Sequence, residues 1–110
     1  MMPRRFFALR RTLKPGSRPA LEAWIDEINA NTAEVDASLQ DEGIRLELVF
    51  LDRVGDEDNL VWVFETDDYE RAREIFLRST RPIDLYHRAF LEQHVASARP
   101  LELLSVNEAP

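Results

Sequence analysis

The sequence contains no cysteine. This absence excludes disulfide bonds, a thiolate nucleophile, and zinc or iron–sulfur sites held by cysteine. The three glycines, Gly16, Gly43 and Gly55, are isolated, so no glycine-rich loop is available to cradle a phosphate group. No apolar run approaches the roughly 20 residues that span a bilayer, and no secretory signal segment is evident. We therefore expect a cytoplasmic protein that needs no cofactor.

Negative charge is in excess, with 21 acidic against 14 basic residues and a net charge of −7. Such a surface repels nucleic acids and anionic lipids, so we expect neither as a partner. Residues 1–21 differ, because they hold six basic residues and no acidic one. Phe7, Leu9 and Leu13 alternate with other residues, which predicts a strand of the fold rather than a transit peptide. Binding of an acidic protein through this basic strand is an alternative use for it.

Apolar spacing and turn residues predict seven elements in a single domain over residues 1–110. They are, in order, strand 5–13, helix 18–42, strand 44–53, strand 60–66, helix 68–78, helix 82–98 and strand 101–106. Asn29, Asn31 and Thr32 weaken the middle of the first helix and predict a bend. Asp67 and Glu70 have the spacing of a capping box. Residues 54–59 are predicted to be a hairpin loop.

This order is that of the ferredoxin-like split βαβ arrangement. It predicts an α+β fold in which a four-stranded antiparallel sheet carries its helices on one face. Trp24 lies in the apolar stripe of the first helix, and Trp62 lies in the third strand. Both are predicted to be in the core between sheet and helices.

The second and third strands are apolar on both faces. The second strand has Ile44, Leu46, Leu48 and Phe50 on one face and Val49 and Leu51 on the other. A sheet face that lacks helices normally meets water and is polar. One chain has too few helices to cover both faces, so the pattern predicts a homodimer that packs sheet against sheet.

Three charged residues interrupt the predicted open face of the sheet. If Leu46, Leu48 and Trp62 face the helices, the opposite face holds Arg10, Glu47 and Glu65 among apolar neighbours. A small number of polar groups on an otherwise apolar surface is typical of a small-molecule site, so these three are candidate ligand-binding residues. The alternative is that they form ion pairs across strands at the dimer interface.

Asp84, His87 and His94 lie on one narrow stripe of the helix that begins at Pro82. Asp84 could bond His87, raise its pKa and fix its tautomer, which would make His87 a proton shuttle. The alternative is an ordinary Asp–His pair on a helix surface. His87 and His94 are about 10.5 Å apart along the helix axis, too far to share a metal ion at bonds of about 2.1 Å. We therefore expect no metal site.

Three stretches of the sequence resemble a small bacterial family of unknown function. They are LKPG (13–16), DEGIRLELVFLDRVGD (41–56) and STRPIDLYHRAF (79–90), the last followed by PLELL (100–104). The element order and size are similar to those of the dimeric α+β-barrel superfamily, which includes antibiotic-biosynthesis-type monooxygenases and sugar mutarotases. The resemblance implies the fold and assigns no activity, because one fold hosts many functions. Mutarotases use an acid–base pair, which His87 with Tyr86 or Glu47 would imitate.

Two functional hypotheses follow from these residues. In the first, the chain binds or transforms a small molecule in a cleft between sheet and helices by acid–base chemistry. His87 would move the proton, and Asp84 would orient the His87 ring. The ligand would contact the candidate set Arg10, Glu47, Glu65 and Tyr86. In the second, the chain is a non-catalytic homodimeric module, and the polar sheet residues serve its interface.

Overall fold

A computed structural model describes residues 5–110 of the chain. It contains eight elements: β1 (Phe6–Leu13), α1 (Arg18–Ala30), α2 (Thr32–Glu42), β2 (Ile44–Val54), β3 (Glu57–Thr66), α3 (Tyr69–Arg78), α4 (Pro82–His94) and β4 (Val95–Leu101). Within this part of the chain, no helix is long and apolar enough to cross a membrane.

The four strands form one sheet in the order β2-β3-β1-β4, and every neighbouring pair is antiparallel. The four helices cover one face, and the buried core lies between them and the sheet. This is the α+β ferredoxin-like arrangement that the sequence predicts. The core contains both predicted tryptophans together with Leu13, Leu21, Ile44, Leu60, Phe64, Ala72 and Phe90.

The helix boundaries follow local chemistry, with two departures from prediction. The expected bend in the first helix is a break at Asn31, which divides it into α1 and α2. Asp68, rather than Asp67, caps α3, because its side chain accepts a hydrogen bond from the Arg71 backbone N–H at 3.0 Å. Pro82 begins α4, where its missing N–H costs nothing.

The hairpin between β2 and β3 is tighter than predicted. β2 ends at Val54 and β3 begins at Glu57, so only Gly55 and Asp56 form the turn. Gly55 has a φ of 61°, a conformation that glycine adopts without steric cost. Asn59, predicted to be in the loop, is fully buried and accepts a hydrogen bond from Thr12 Oγ1 at 2.7 Å.

The position of the last strand was predicted wrongly. The expected strand 101–106 has no regular structure beyond Leu101, whereas β4 begins immediately after α4, at Val95. Pro100 pairs with Leu9 inside β4 rather than breaking the chain. Proline is tolerated there because β4 is an edge strand, where one row of N–H groups has no partner strand.

A β-bulge at the start of β2 reverses the predicted faces of that strand. Ile44 pairs with Thr66 and Leu46 pairs with Glu65, so Arg45 is an extra residue. Beyond the bulge, Glu47 pairs with Phe64 on the helix-facing side. Leu46, Leu48 and Phe50 therefore lie on the open face, contrary to the sequence-based assignment. A one-residue shift of this kind moves every following side chain to the other face.

Three of the basic residues at the start of the chain bond to acidic or carbonyl groups of the same chain. Arg10 pairs with Asp52 at 2.8 Å, and Arg18 makes two hydrogen bonds of 3.0 Å to Asp58. Arg5 donates to the Asp67 backbone carbonyl at 2.9 Å. These contacts give the basic strand a role within the fold. Arg4 lies outside the described residues.

Gly43 provides a test of the junction between α2 and β2. It ends α2 with a φ of 73°, and a Cβ atom added there would meet nothing within 4 Å. We expect Gly43→Ala to lower the free energy of unfolding by about 1 kcal/mol, because only the backbone conformation is penalised. Gly43→Asn should lose less, since asparagine tolerates this conformation. Urea denaturation of both variants measures the difference, and equal stability of Gly43→Ala and the original chain would contradict it.

Candidate functional site

A cavity of about 590 Å³ lies between the helix-facing side of the sheet and all four helices. This volume is in the range of small-molecule sites, about 300–1,000 Å³. Most of the lining is aliphatic or aromatic, including Trp24, Ile28, Val49, Phe64 and Phe76. Its principal polar groups are Arg11 from β1, Glu47 from β2, Glu42 from α2, Tyr69 from α3, and Asp84 and His87 from α4.

His87 is held in one orientation by aromatic neighbours. Its ring centroid lies 5.4 Å from that of Trp24, 5.5 Å from that of Trp62 and 5.2 Å from that of Phe76. Trp24 Nε1 donates a hydrogen bond to His87 Nδ1 at 3.0 Å. Burial, with a smaller contribution from the Arg11 charge, lowers the pKa of His87 from 6.5 to about 3. At neutral pH, His87 is therefore an uncharged ring.

Asp84 does not have the predicted role of orienting His87 and raising its pKa. One Asp84 oxygen accepts a hydrogen bond from Ser38 Oγ at 2.5 Å, and the other accepts one from Ser79 Oγ. His87 is instead bonded to Trp24, and its pKa moves downward. The carboxylate thus joins the start of α4 to α2, which makes Asp84 a structural residue at the cavity wall.

Arg11 is the cavity cation that contacts the Trp62 ring. Its guanidinium carbon lies 4.5 Å from the centre of the Trp62 ring, in a cation–π contact. Burial lowers the Arg11 pKa, while Tyr69 and Glu47 beside it oppose that effect. Its Nη1 atom is buried and has no hydrogen-bond partner. A buried donor without an acceptor costs about 1–3 kcal/mol.

Glu47 lies on the same side of the sheet as Arg11 and Trp62. Burial raises its pKa, while the Trp62 indole N–H and the Arg11 charge both favour the carboxylate. The indole nitrogen is itself buried without a hydrogen bond of normal geometry. Glu47 is thus a carboxylate with raised proton affinity in a largely apolar cavity, a combination that suits proton transfer.

Glu42 is the most strongly perturbed carboxyl group of the cavity. It lies in the last turn of α2 and is only 8% exposed. Burial, together with the charges of Asp84, Glu47 and Asp41, raises its pKa from 4.5 to about 8. The negative end of the helix dipole also disfavours a carboxylate there. Glu42 therefore carries a proton at neutral pH.

The cavity brings together three of the six predicted site residues, Glu47, Asp84 and His87. Arg10 lies on the open face of the sheet, where it pairs with Asp52. Glu65 is also on that face, with Arg45 at 3.7 Å. Tyr86, predicted to contact the ligand, is 39% exposed and does not line the cavity. Among the described residues, no group of three or more histidine, aspartate or glutamate side chains could hold a metal ion.

Sequence reasoning missed Arg11, Glu42 and Tyr69 as site residues. A signal for Arg11 was present, because Phe7, Leu9 and Leu13 form the apolar face of β1 and Arg11 falls on it. A charged residue on the buried face of a strand is unusual and indicates function. No comparable signal marks Glu42, because the end of a helix commonly carries a solvated charge.

A family model described as a family of unknown function, DUF6176, matches residues 5–109. The chain belongs to this family. The match covers every element of the fold, including all cavity residues. No curated protein matches the chain.

Solved structures share the fold of this DUF6176 member at low identity. L-rhamnose mutarotase from Formosa agariphila is 16% identical, with a TM-score of 0.64 over 94% of this chain and 99% of that chain. Tetracenomycin F2 cyclase from Streptomyces glaucescens is 14% identical, with a TM-score of 0.57 over 96% and 99%. A Bacteroides thetaiotaomicron protein named for the antibiotic biosynthesis monooxygenases is 10% identical, with a TM-score of 0.57 over 93% and 89%. These similarities confirm the α+β ferredoxin-like fold and show the fold alone.

The raised pKa of Glu42 predicts a pH-dependent stability. Between pH 4.5 and about 8 the unfolded chain releases the Glu42 proton and the folded chain keeps it. The folded state therefore loses stability as pH rises through this window. We expect Glu42→Gln to be more stable than the original chain at pH 8, by an amount on the order of a few kcal/mol, and to lose that advantage towards pH 5.

Thermal melts of both chains at pH 5, 6, 7 and 8 measure this difference. Subtracting the two profiles removes the contribution of His87, which is common to both chains. Glu92→Gln on the exposed side of α4 is the control and should differ from the original chain by the same amount at every pH. A Glu42→Gln difference that does not grow with pH would show that Glu42 is ionised when folded.

Proposed function

We propose that the chain binds a small organic molecule in the cavity and moves a proton on it, with Glu47 as the base. The observation that carries this proposal is the convergence of Arg11, Glu47 and His87 around the buried Trp62 ring at one side of the cavity. Three polar groups of different chemistry at one point of an apolar cavity are typical of a reactive site.

The three groups and Glu42 have complementary protonation states. Glu47 accepts a proton, and its raised proton affinity brings it closer to the working pH. Glu42, protonated below about pH 8, is a proton donor in the same cavity. Environments that push the pKa values of neighbouring groups apart are how one site supplies both an acid and a base. Arg11 and His87 hold the ligand while the proton moves.

The structural comparison supports small-molecule binding in this fold. Two of the similar structures are named as a mutarotase of L-rhamnose and a cyclase of tetracenomycin F2. Both names describe a reaction on a small organic molecule. We propose the same general use of the cavity here, and we take the polar residues from this chain alone.

The chain is also proposed to form a homodimer through the open face of its sheet. Leu46, Leu48 and Phe50 form a row on β2 that is 38%, 40% and 55% exposed. The half-buried Val61 and Val63 of β3 lie beside this row. An apolar face of this extent is characteristic of an interface. A second copy is the partner that we propose, because two-fold packing buries the same face on both chains.

A hydrogen–deuterium exchange assay tests Glu47 as the base. We expect the chain to accelerate exchange of acidic C–H protons, or anomer interconversion, for at least one compound in a panel of aldoses, aryl ketones and cyclic 1,3-diketones in D₂O. Glu47→Gln should reduce that rate by about 100-fold or more, because the amide cannot accept the proton. NMR spectroscopy measures the rates.

Glu92→Gln is the matched control, since it removes an exposed carboxylate of α4 and should retain the full rate. An equal rate for Glu47→Gln and the original chain would refute the assignment of the base. If the chain accelerates nothing in the panel, the alternative of a non-catalytic homodimeric module replaces this proposal.

A charged substitution in the apolar row on β2 tests whether this face forms the dimer interface. We expect Leu48→Asp to convert a dimer of two 12.8 kDa chains into monomers, because two carboxylates would be buried face to face. Leu85→Asp is the control, because Leu85 on α4 is similarly exposed, at 48%, but lies away from the open face. Sedimentation equilibrium distinguishes the two masses. A monomeric original chain, or a dimeric Leu48→Asp variant, would contradict the proposed interface.

A further inference from the structure

We infer that Arg11 and His87 form a binding site for a negatively charged oxygen atom of the ligand. Carboxylates, phenolates and enolates share this chemistry. The inference rests on the proposed function, which places a small molecule in the cavity. It goes further by naming the ligand group and the two side chains that bind it.

The first component is the direction in which His87 donates. Because Trp24 Nε1 is a donor only, His87 Nδ1 must be the acceptor of their 3.0 Å hydrogen bond. An uncharged imidazole with a bare Nδ1 carries its proton on Nε2. Trp24 therefore positions His87 as a hydrogen-bond donor at Nε2. The rings of Trp24, Trp62 and Phe76 pack around His87 in this orientation.

The second component is the unused donor of Arg11. The guanidinium is stacked on the Trp62 ring, which fixes its plane. Its Nη1 is buried without an acceptor, and the residue lines the same cavity as His87. Both groups contact the same Trp62 ring, the Arg11 guanidinium carbon at 4.5 Å from its centre and the His87 ring at 5.5 Å between centroids. An oxygen atom of the ligand would accept from both.

The surrounding charges favour an anion over a neutral oxygen. The charged groups that act on Arg11 are Glu47, which attracts it, and Arg73, which repels it, with the Tyr69 hydroxyl beside them. Arg73 lines the cavity as well. The Asp84 carboxylate also acts on Glu47, but two hydroxyl groups bond it, so Arg11 and Arg73 are the cations available to an oxygen atom of the ligand. Hydrogen bonds from charged donors to charged acceptors are about twice as strong as neutral ones.

Three naphthalene compounds of the same size test this site. 2-Naphthoate carries a carboxylate, 2-naphthamide is its neutral isostere, and 2-naphthol reports a bound phenolate by its fluorescence. We expect the original chain to bind 2-naphthoate, or the ionised form of 2-naphthol, at least about tenfold more tightly than 2-naphthamide. Tighter binding of 2-naphthoate would indicate a carboxylate site, and tighter binding of ionised 2-naphthol would indicate a phenolate or enolate site. Isothermal titration calorimetry measures the affinities.

Adjacent arginines on opposite faces of β1 provide the variants. Arg11→Met removes the charge and keeps the apolar stem on Trp62, so the anion preference should disappear. Arg10→Met removes the same charge from the open face and should keep that preference. Equal binding of 2-naphthoate, 2-naphtholate and 2-naphthamide by the original chain would refute the oxyanion site while leaving the cavity a ligand site. If no naphthalene compound binds, the ligand-binding cavity itself is refuted, and this inference with it.

The His87 tautomer gives a second test that needs no ligand. In ¹⁵N NMR spectra of the original chain, we expect the proton on Nε2 from pH 5 to pH 8 and no titration in that range. Trp24→Phe should release the ring, so that the Nδ1–H form is populated and the His87 pKa rises. A merely structural tryptophan would leave the tautomer unchanged. A charged His87 ring, or a proton on Nδ1 in the original chain, would overturn the inference even if the Arg11 variant does not fold.

Discussion

The buried Trp62 ring is the contact on which both the fold and the cavity depend. It is fully buried in β3, one of the two central strands, where its neighbours across the sheet are Leu9 and Val49. On the helix side it meets Trp24 of α1 at 5.4 Å between ring centroids, and His87 of α4 at 5.5 Å. One side chain thereby sets the distance of two helices from the sheet. The same ring carries the Arg11 guanidinium, so the packing of the core and the position of the cavity cation are not independent.

The bulge at Arg45 determines which chemistry enters the cavity. Without this extra residue, β2 would turn Leu46 and Leu48 towards the helices and Glu47 towards the open face. The bulge places Ile44 in the core and still turns Glu47 inward three positions later. Its second consequence is the apolar row on the open face. A carboxylate in the cavity and a surface suited to a second chain therefore have one structural cause.

The comparison of sequence and structure separates what periodicity encodes from what it does not. The strand and helix order, the start of α4 at Pro82 and the break near Asn31 follow from local chemistry, which acts over a few residues and is visible in the sequence. The register of β2 depends on a bulge that no residue type announces, since Arg45 is unexceptional in a strand. The last strand was placed too late because Val95–Leu101 is rich in small and polar residues, as an edge strand can be, and because LELLSV has stronger strand propensity. The register of β2 caused the main error in the predicted site, because it led to Glu47 being placed on the open face. Arg10 and Glu65 do lie on that face.

The polar groups of the cavity differ in a way that separates structural from functional residues. Asp84 is buried, but two hydroxyl groups satisfy its carboxylate, and its role in joining α2 to α4 needs no ligand. Arg11 and Glu42 are not compensated in this way. Arg11 has a buried nitrogen without an acceptor, and burial shifts the pKa of Glu42 away from the charged form. At neutral pH, both features make the folded chain less stable than an apolar replacement would. A core under selection for stability alone would not keep both of them at one cavity, whereas a site that must bind and deprotonate a ligand requires such groups in advance of the reaction.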